Sequence, residues 1–215
     1  MIKVFNGLER HLYPEYSSEI FRLRKRVFHD MLKWDVTIDQ DEEYDAFDNA
    51  NPIYVASVSP HTGRLRGALR LLPTSGPNML ADTFPQLMNG AQRISCPTVW
   101  ESSRFCIDPD LAQDRSSNQV TVAAAELMCG VGELGLESGI RRIITVTDVF
   151  LERMFRRMGC PGERIGRPQR IGSVIAVAVG WEVSHELLSH MKSVASISGR
   201  VLERTTTLED ARKAA

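Results

Sequence analysis

The chain has 215 residues, 43 % of them hydrophobic, enough to bury one substantial core in a single domain. Its 26 basic and 27 acidic side chains nearly cancel to a net charge of -1, which excludes a global attraction to nucleic acid or to an anionic membrane and leaves only local patches. The opening "MIKVFNGLERHLYPEY" lacks the apolar core of a signal peptide, and "GSVIAVAVGW" is about half a membrane span, so the reading is a cytoplasmic protein with no membrane span.

In chain order, Pro14 to Trp34 reads as a helix, with Ile20, Leu23, Val27, Phe28 and Met31 at helical spacing. Arg22, Lys25, Arg26 and His29 take its polar side, but Arg24 falls among the apolar positions. It either snorkels to the helix edge or needs a partner, because an unpaired buried charge is expensive. The stretch "DEEYDAFDNANPIYV" crowds five acids ahead of a strand-like run. It is a solvated loop, or the partner of Arg24, for which a ligand carboxylate is the other candidate. Asp45 and Asp48, three apart around Phe47, reach the same side from one tight turn and together attract a cation. Phe28 and Trp34 just upstream offer aromatic faces to a positively charged group, worth about 0.5–2 kcal/mol.

Next come two strand-like runs, "IYVASV" and "LRGALRLL", joined by the turn "SPHTGR". Strand alternation puts Arg70 on the face of Ala68 and Leu72, where a lone charge is costly. A short helical piece around "LADTFPQLM" precedes the strand "TVWESSRFCI". There Glu101 and Arg104 point to opposite faces unless a bulge near Ser102 and Ser103 re-aims one of them. These charges are structural ion pairs or the lining of a polar cleft. "SNQVTVAAAELMCGVGELGLESG" reads as a helix closing on Gly139, "RRIITVTD" as a strand, "VFLERMFRRMG" as a second helix and "GSVIAVAVGWEVS" as a final buried strand. The pattern predicts an α/β sandwich with a mixed sheet over residues 1–202, with a polar tail at 203–215.

Cys96, Cys106, Cys129 and Cys160 form no CxxC pair and read as reduced core thiols, and the histidines of "HELLSH" are five apart rather than four, so no metal site is expected. Gly130, Gly132 and Gly135 spell GxGxxG, but inside a helix with no strand before it, which makes them close-packing positions rather than a dinucleotide turn. Arg153, Arg156, Arg157, Arg164, Arg167 and Arg170 make a basic surface, either a solvated face or a seat for an acidic partner or phosphates.

Arg24, Phe28, Trp34, Asp45, Asp48, Arg70, Phe84, Glu101 and Arg104, with "LRKRVFHDMLKW", "EYDAFDN", "GALRLLPT", "MLADTFPQL" and "VWESSRF", resemble the signature of the acyl-homoserine lactone synthases, the autoinducer synthases of bacterial quorum sensing. The resemblance spans roughly residues 1–190. It implies an N-acetyltransferase-like fold, an α/β three-layer α-β-α sandwich around a mixed, mostly antiparallel sheet with a V-shaped cleft, and two substrates: S-adenosylmethionine, which makes a separate cofactor unnecessary, and an acyl thioester on acyl carrier protein or coenzyme A. It further implies that Arg24 and Arg104 orient S-adenosylmethionine, Phe28 and Trp34 wall its pocket, and Asp45 and Asp48 oppose its charge or hold the arginines. Glu101 is the candidate base, Arg70 organises the network, Phe84 packs beside the thioester, and Arg153, Arg156 and Arg157 meet the carrier. Thr145 offers a hydroxyl to a 3-oxo group or merely packs. The competing readings are an N-acetyltransferase using acetyl-coenzyme A, whose pyrophosphate loop has only a weak counterpart in "RFCIDPDLAQDRSSNQV", and a non-catalytic binder of the same ligands.

Overall fold

The computed structural model describes residues 1–111 and 120–203, and its first element is a strand that sequence pattern alone does not announce, β1 (Ile2–Asn6). A 3-10 turn (Gly7–Leu12) leads into α1 (Pro14–Arg24), where proline at the start loses no needed N–H. The helix then widens into a π-helical stretch over Lys25–Met31, its end marked by the Leu32 N–H bonding the Val27 carbonyl. β2 (Ile38–Asp39) and β3 (Glu42–Glu43) form a hairpin whose turn residues Gln40 and Asp41 have φ of 45° and 70°. A 3-10 turn (Ala46–Asn49) precedes β4 (Ile53–Val58) and β5 (Leu65–Pro73).

Then come α2 (Met79–Asp82), a 3-10 turn (Pro85–Met88), β6 (Val99–Ile107) and α3 (Val122–Ser138). The Thr121 hydroxyl caps α3 by accepting from the Ala124 N–H at 3.3 Å, while Ser117 to Gln119 of the expected helix start lie outside the described residues. β7 (Arg142–Asp148), α4 (Val149–Arg157), β8 (Glu163–Arg164), β9 (Gln169–Ile171) and β10 (Val174–Glu182) follow. The chain then forms α5 (His185–Ala195), the helix that carries "HELLSH" and buries Leu188 and Met191.

The sheet runs β1-β4-β5-β6-β7-β10-β8, with β9 also on β10, and every pairing is antiparallel except β6 with β7. α3 and α5 cover one face over Ile143, Val177 and Val179, and α1 and α2 lie on the other, over Tyr54, Ala68, Ile144 and Ala178, which gives the three layers expected. Val201 to Glu203 return to β1, where the Glu203 N–H bonds the Ile2 carbonyl at 2.9 Å. The remaining tail, 204–215, lies outside the described residues, and no described helix is long and apolar enough to cross a membrane. The glycines of GxGxxG lie inside α3, and a Cβ on Gly130 or Gly135 would stand 2.9 Å from Ile2 or Val183, so they are close-packing positions.

The feature that positions the site is the β6 and β7 junction. Their pairing runs from Val99 opposite Arg142 only to Ser102 opposite Thr145, after which β6 continues beside β5 and β7 beside β10. The sheet therefore forks one residue beyond Glu101.

Candidate active site

Arg24 is 1 % exposed and meets the acid cluster. Its Nε donates to Glu43 Oε2, and its two Nη atoms donate to Asp48 Oδ1 and Oδ2 at 2.8 and 2.9 Å. Arg70 donates to Asp45 Oδ1 at 2.5 Å and Oδ2 at 3.0 Å, to Asp48 Oδ1 at 2.8 Å and to Ser103 Oγ at 3.1 Å. Arg104 donates to Glu43 Oε1 at 2.8 Å and forms an ion pair with Asp45 Oδ2 at 2.9 Å. Three guanidiniums thus face three carboxylates, the balance that a buried ionic cluster needs. Burial disfavours the charge on Asp48, but Arg24 and Arg70 outweigh it and hold that carboxyl below the usual carboxylate range. The Tyr54 hydroxyl donates to the same oxygen at 2.8 Å, and its own pKa rises through burial and the Asp48 charge.

Local sequence explains the placement. Asp45 caps the 3-10 turn by accepting from the Phe47 N–H, while Asp48 reaches back to accept from the Asp45 N–H, so one capping box aims both carboxylates at Arg70. The cation that Asp45 and Asp48 attract is therefore supplied by the protein. Arg24, enclosed by two carboxylates, holds the cage together rather than presenting itself to a ligand.

The expected bulge is present, one residue on: the β5 and β6 register shifts between Ala68 and Arg70, and Arg104 takes φ 55°. It turns Arg104 to the face of Glu101 and Ser103, with its guanidinium 5.3 Å from the Phe28 ring. Phe28 stacks on Trp34 at 5.1 Å, and Trp34 is 40 % exposed, so the rim of the cage toward solvent is aromatic.

Glu101, fully buried, accepts from the first two N–H groups of α2, Met79 at 2.7 Å and Leu80 at 2.6 Å. Desolvation dominates over those two bonds and pushes its pKa up to about 7. A carboxyl poised there exchanges a proton near neutral pH. Met79 also sets its sulfur 3.6 Å from Arg70 and 3.8 Å from Arg104, joining Glu101 to the cage.

Phe84 packs on the α2 face with Ile144 and Val146, whereas Thr145 points to the opposite face and donates its hydroxyl to the Ser102 carbonyl at 2.7 Å. That proton closes the fork and is not free for a 3-oxo group. The six arginines are all exposed, but not all unpaired: Arg164 binds Glu152 at 2.9 and 2.7 Å, and Arg156 lies 3.9 Å from it. Arg153 rests over Phe150 at 5.8 Å, and Arg157 has no carboxylate within 4.0 Å among the described residues.

Sequence reasoning missed Glu43, the fully buried acid shared by Arg24 and Arg104. Its signal is the two-residue turn between "ID" and "EE", which sends Glu42 outward and Glu43 inward.

A family model described as autoinducer synthase matches residues 9–191. An acyl-homoserine-lactone synthase of Agrobacterium fabrum is 40 % identical over 166 residues, covering 77 % of this chain and 78 % of that protein. Among solved structures, BjaI, a CoA-dependent acyl-homoserine lactone synthase with SAM and isopentyl-CoA, superposes with a TM-score of 0.85 over 100 % of this chain and 98 % of that one, at 23 % identity. A putative N-acetyltransferase from Lactobacillus plantarum gives 0.56 over 85 % and 99 %, at 15 % identity. The last two are likenesses of fold.

Proposed function

The chain belongs to the autoinducer synthase family, and on that premise we propose how its cleft builds an acyl-homoserine lactone. The enzyme is an acyltransferase of this family rather than an ordinary acetyltransferase. S-adenosylmethionine sits on the aromatic rim of Phe28 and Trp34 with Arg104 at its carboxylate, and is consumed as a substrate, with no separate cofactor. The acyl thioester enters where β6 and β7 part.

Glu101 takes a proton from the methionyl ammonium through one water. The free amine attacks the thioester carbonyl, the new C–N bond replaces the C–S bond, and the thiol leaves with a proton. The methionyl carboxylate then attacks its own γ-carbon, the Cγ–S bond breaks, the sulfonium charge is neutralised, and methylthioadenosine departs from the closed lactone. The observation that carries this reading is a buried carboxyl with a pKa of about 7, one residue before the sheet forks and joined through Met79 to the arginine cage.

The exposed Arg153, Arg156 and Arg157 fit an acidic acyl carrier protein or the phosphates of coenzyme A. Purified protein supplied with S-adenosylmethionine and acyl thioesters on each carrier is expected to yield lactone and methylthioadenosine by mass spectrometry, with Glu101→Ala cutting the rate about 100-fold or more. No lactone from either carrier overturns the proposal.

A further inference from the structure

Met79 touches both Glu101 and the arginine cage. Its N–H donates to Glu101 Oε2 at 2.7 Å, and its carbonyl accepts from the N–H groups of Thr83 and Phe84, each at 2.9 Å, so the backbone that carries the side chain is held on both sides. The sulfur accepts from Arg70 at 3.6 Å and from Arg104 at 3.8 Å. The partners of Arg104 are unequal. Its Nε and Nη2 are taken by Glu43, with Asp45 also 2.9 Å from Nη2, whereas Nη1 meets only this sulfur among the described residues. A thioether is a weak acceptor, so Nη1 is the cage nitrogen that changes partner most easily. Arg24, by contrast, places all three of its nitrogens on Glu43 and Asp48. Met79 and Arg104 are both only partly buried, so small molecules reach this corner of the cage.

We infer that the Met79 sulfur holds the place of the substrate carboxylate on Arg104, and that this makes Met79 an oxidation site through which peroxide weakens the binding of S-adenosylmethionine. The inference rests on the function proposed above, in which Arg104 receives that carboxylate. In the reduced protein the weak sulfur contact gives way to the carboxylate, which makes a charge-assisted bond. Hydrogen peroxide transfers one oxygen to the sulfur: the O–O bond breaks, an S–O bond forms, the sulfur is oxidised to the sulfoxide and the peroxide is reduced to water. The new oxygen is a strong acceptor on an atom that already lies 3.6 and 3.8 Å from two guanidiniums. It bonds Arg104 Nη1 and competes with the carboxylate, while the backbone of Met79 keeps its hold on Glu101. Oxidation therefore acts on binding and leaves proton transfer in place.

The test treats the purified full chain with hydrogen peroxide, follows Met79 by peptide mass spectrometry, and measures lactone formation with each substrate varied in turn. Wild type is compared with Met79→Leu, Met79→Gln and Met31→Leu. Met31, 57 % exposed and outside the cage, controls for oxidation elsewhere. The expected result is a KM for S-adenosylmethionine that rises about tenfold in step with Met79 sulfoxide, with kcat and KM for the acyl thioester little changed. Met31→Leu should respond like wild type, and Met79→Leu should not respond. Met79→Gln, whose amide oxygen stands in for the sulfoxide oxygen, should show the raised KM without peroxide. Sulfoxide reductases acting on both epimers should restore the oxidised wild type. Three outcomes overturn the inference and leave the proposed reaction standing: an unchanged KM in protein oxidised at Met79, a Met79 that stays reduced while Met31 reacts, or a Met79→Leu variant that responds as strongly as wild type. Absence of lactone from untreated protein with every donor overturns the reaction itself and the inference with it.

Discussion

Arg24 and Asp48 meet end-on, through two parallel hydrogen bonds of 2.8 and 2.9 Å from the two Nη atoms, with their side chains 1 % and 0 % exposed. The pair is charged in a place where water cannot help, so its value appears when one partner is lost. Asp48→Asn removes the carboxylate that Arg24, Arg70 and Tyr54 share and is expected to cost about 3–5 kcal/mol, read as a lowered urea midpoint. Arg22→Ala, on the exposed side of the same helix, should stay within about 0.5 kcal/mol. Equal effects from the two would mean that the cage is not the stabilising element.

Glu101 gives the pH dependence its sign. Burial raises its pKa from 4.5 unfolded to about 7 folded, so the folded state binds the proton more tightly. Its contribution to stability is fully present below pH 4.5 and is lost as pH rises through about 7. Activity moves the other way, because only the ionised carboxylate accepts a proton: kcat/KM should climb as pH rises through about 7 and then level. Melting temperatures of wild type minus Glu101→Ala across pH, beside a kcat/KM profile, check both limbs. A difference that is flat across this window would remove Glu101 as the titrating group.

The cage was legible in outline because charge misfits stand out against periodicity. Arg24 violates a helical stripe and Arg70 a strand alternation, and each needs a counter-ion that the acid cluster is close enough to provide. What stayed hidden depends on backbone groups or on register. Glu43 turns inward only because Gln40 and Asp41 make a two-residue turn, and the partners of Glu101 are the N–H groups of Met79 and Leu80, which no side-chain pattern encodes. α5 declares itself weakly, because its buried residues, Leu188 and Met191, are few and lie three apart on an ordinary amphipathic face. β1 is five residues long, too short for alternation to declare itself.

Trp34 separates binding from stability. Its ring is 40 % exposed and stacks on Phe28 at 5.1 Å, so truncation gives up one aromatic pair, about 0.5–1.5 kcal/mol, without opening the core. In the proposed site the same ring walls the S-adenosylmethionine pocket. Trp34→Ala is therefore expected to raise KM for S-adenosylmethionine about tenfold, with little change in KM for the acyl thioester and a melting temperature lowered only slightly. Steady-state kinetics with each substrate varied in turn decide it, and equal increases in both KM values would place the pocket elsewhere.

The glycines of α3 test whether GxGxxG is packing or nucleotide chemistry. Alanine in a helix interior ordinarily gains about 1 kcal/mol over glycine. At Gly130 the new Cβ would stand 2.9 Å from Cγ1 of Ile2, a fully buried residue tied to Val201 and Glu203 through its backbone, so the clash cannot relax outward. Gly130→Ala should cost about 1–3 kcal/mol net. At Gly132 the contacts are 3.2 and 3.3 Å, to the ends of the Leu188 and Met191 side chains, which can shift by a few tenths of an ångström. Gly132→Ala should then be close to neutral, because the helix gain offsets the strain. Both variants should retain kcat/KM wherever they remain folded, since α3 holds the sheet and touches none of the cage. A thermal melt beside the lactone assay separates the two effects, and a folded Gly132→Ala protein that had lost activity would return these glycines to the site.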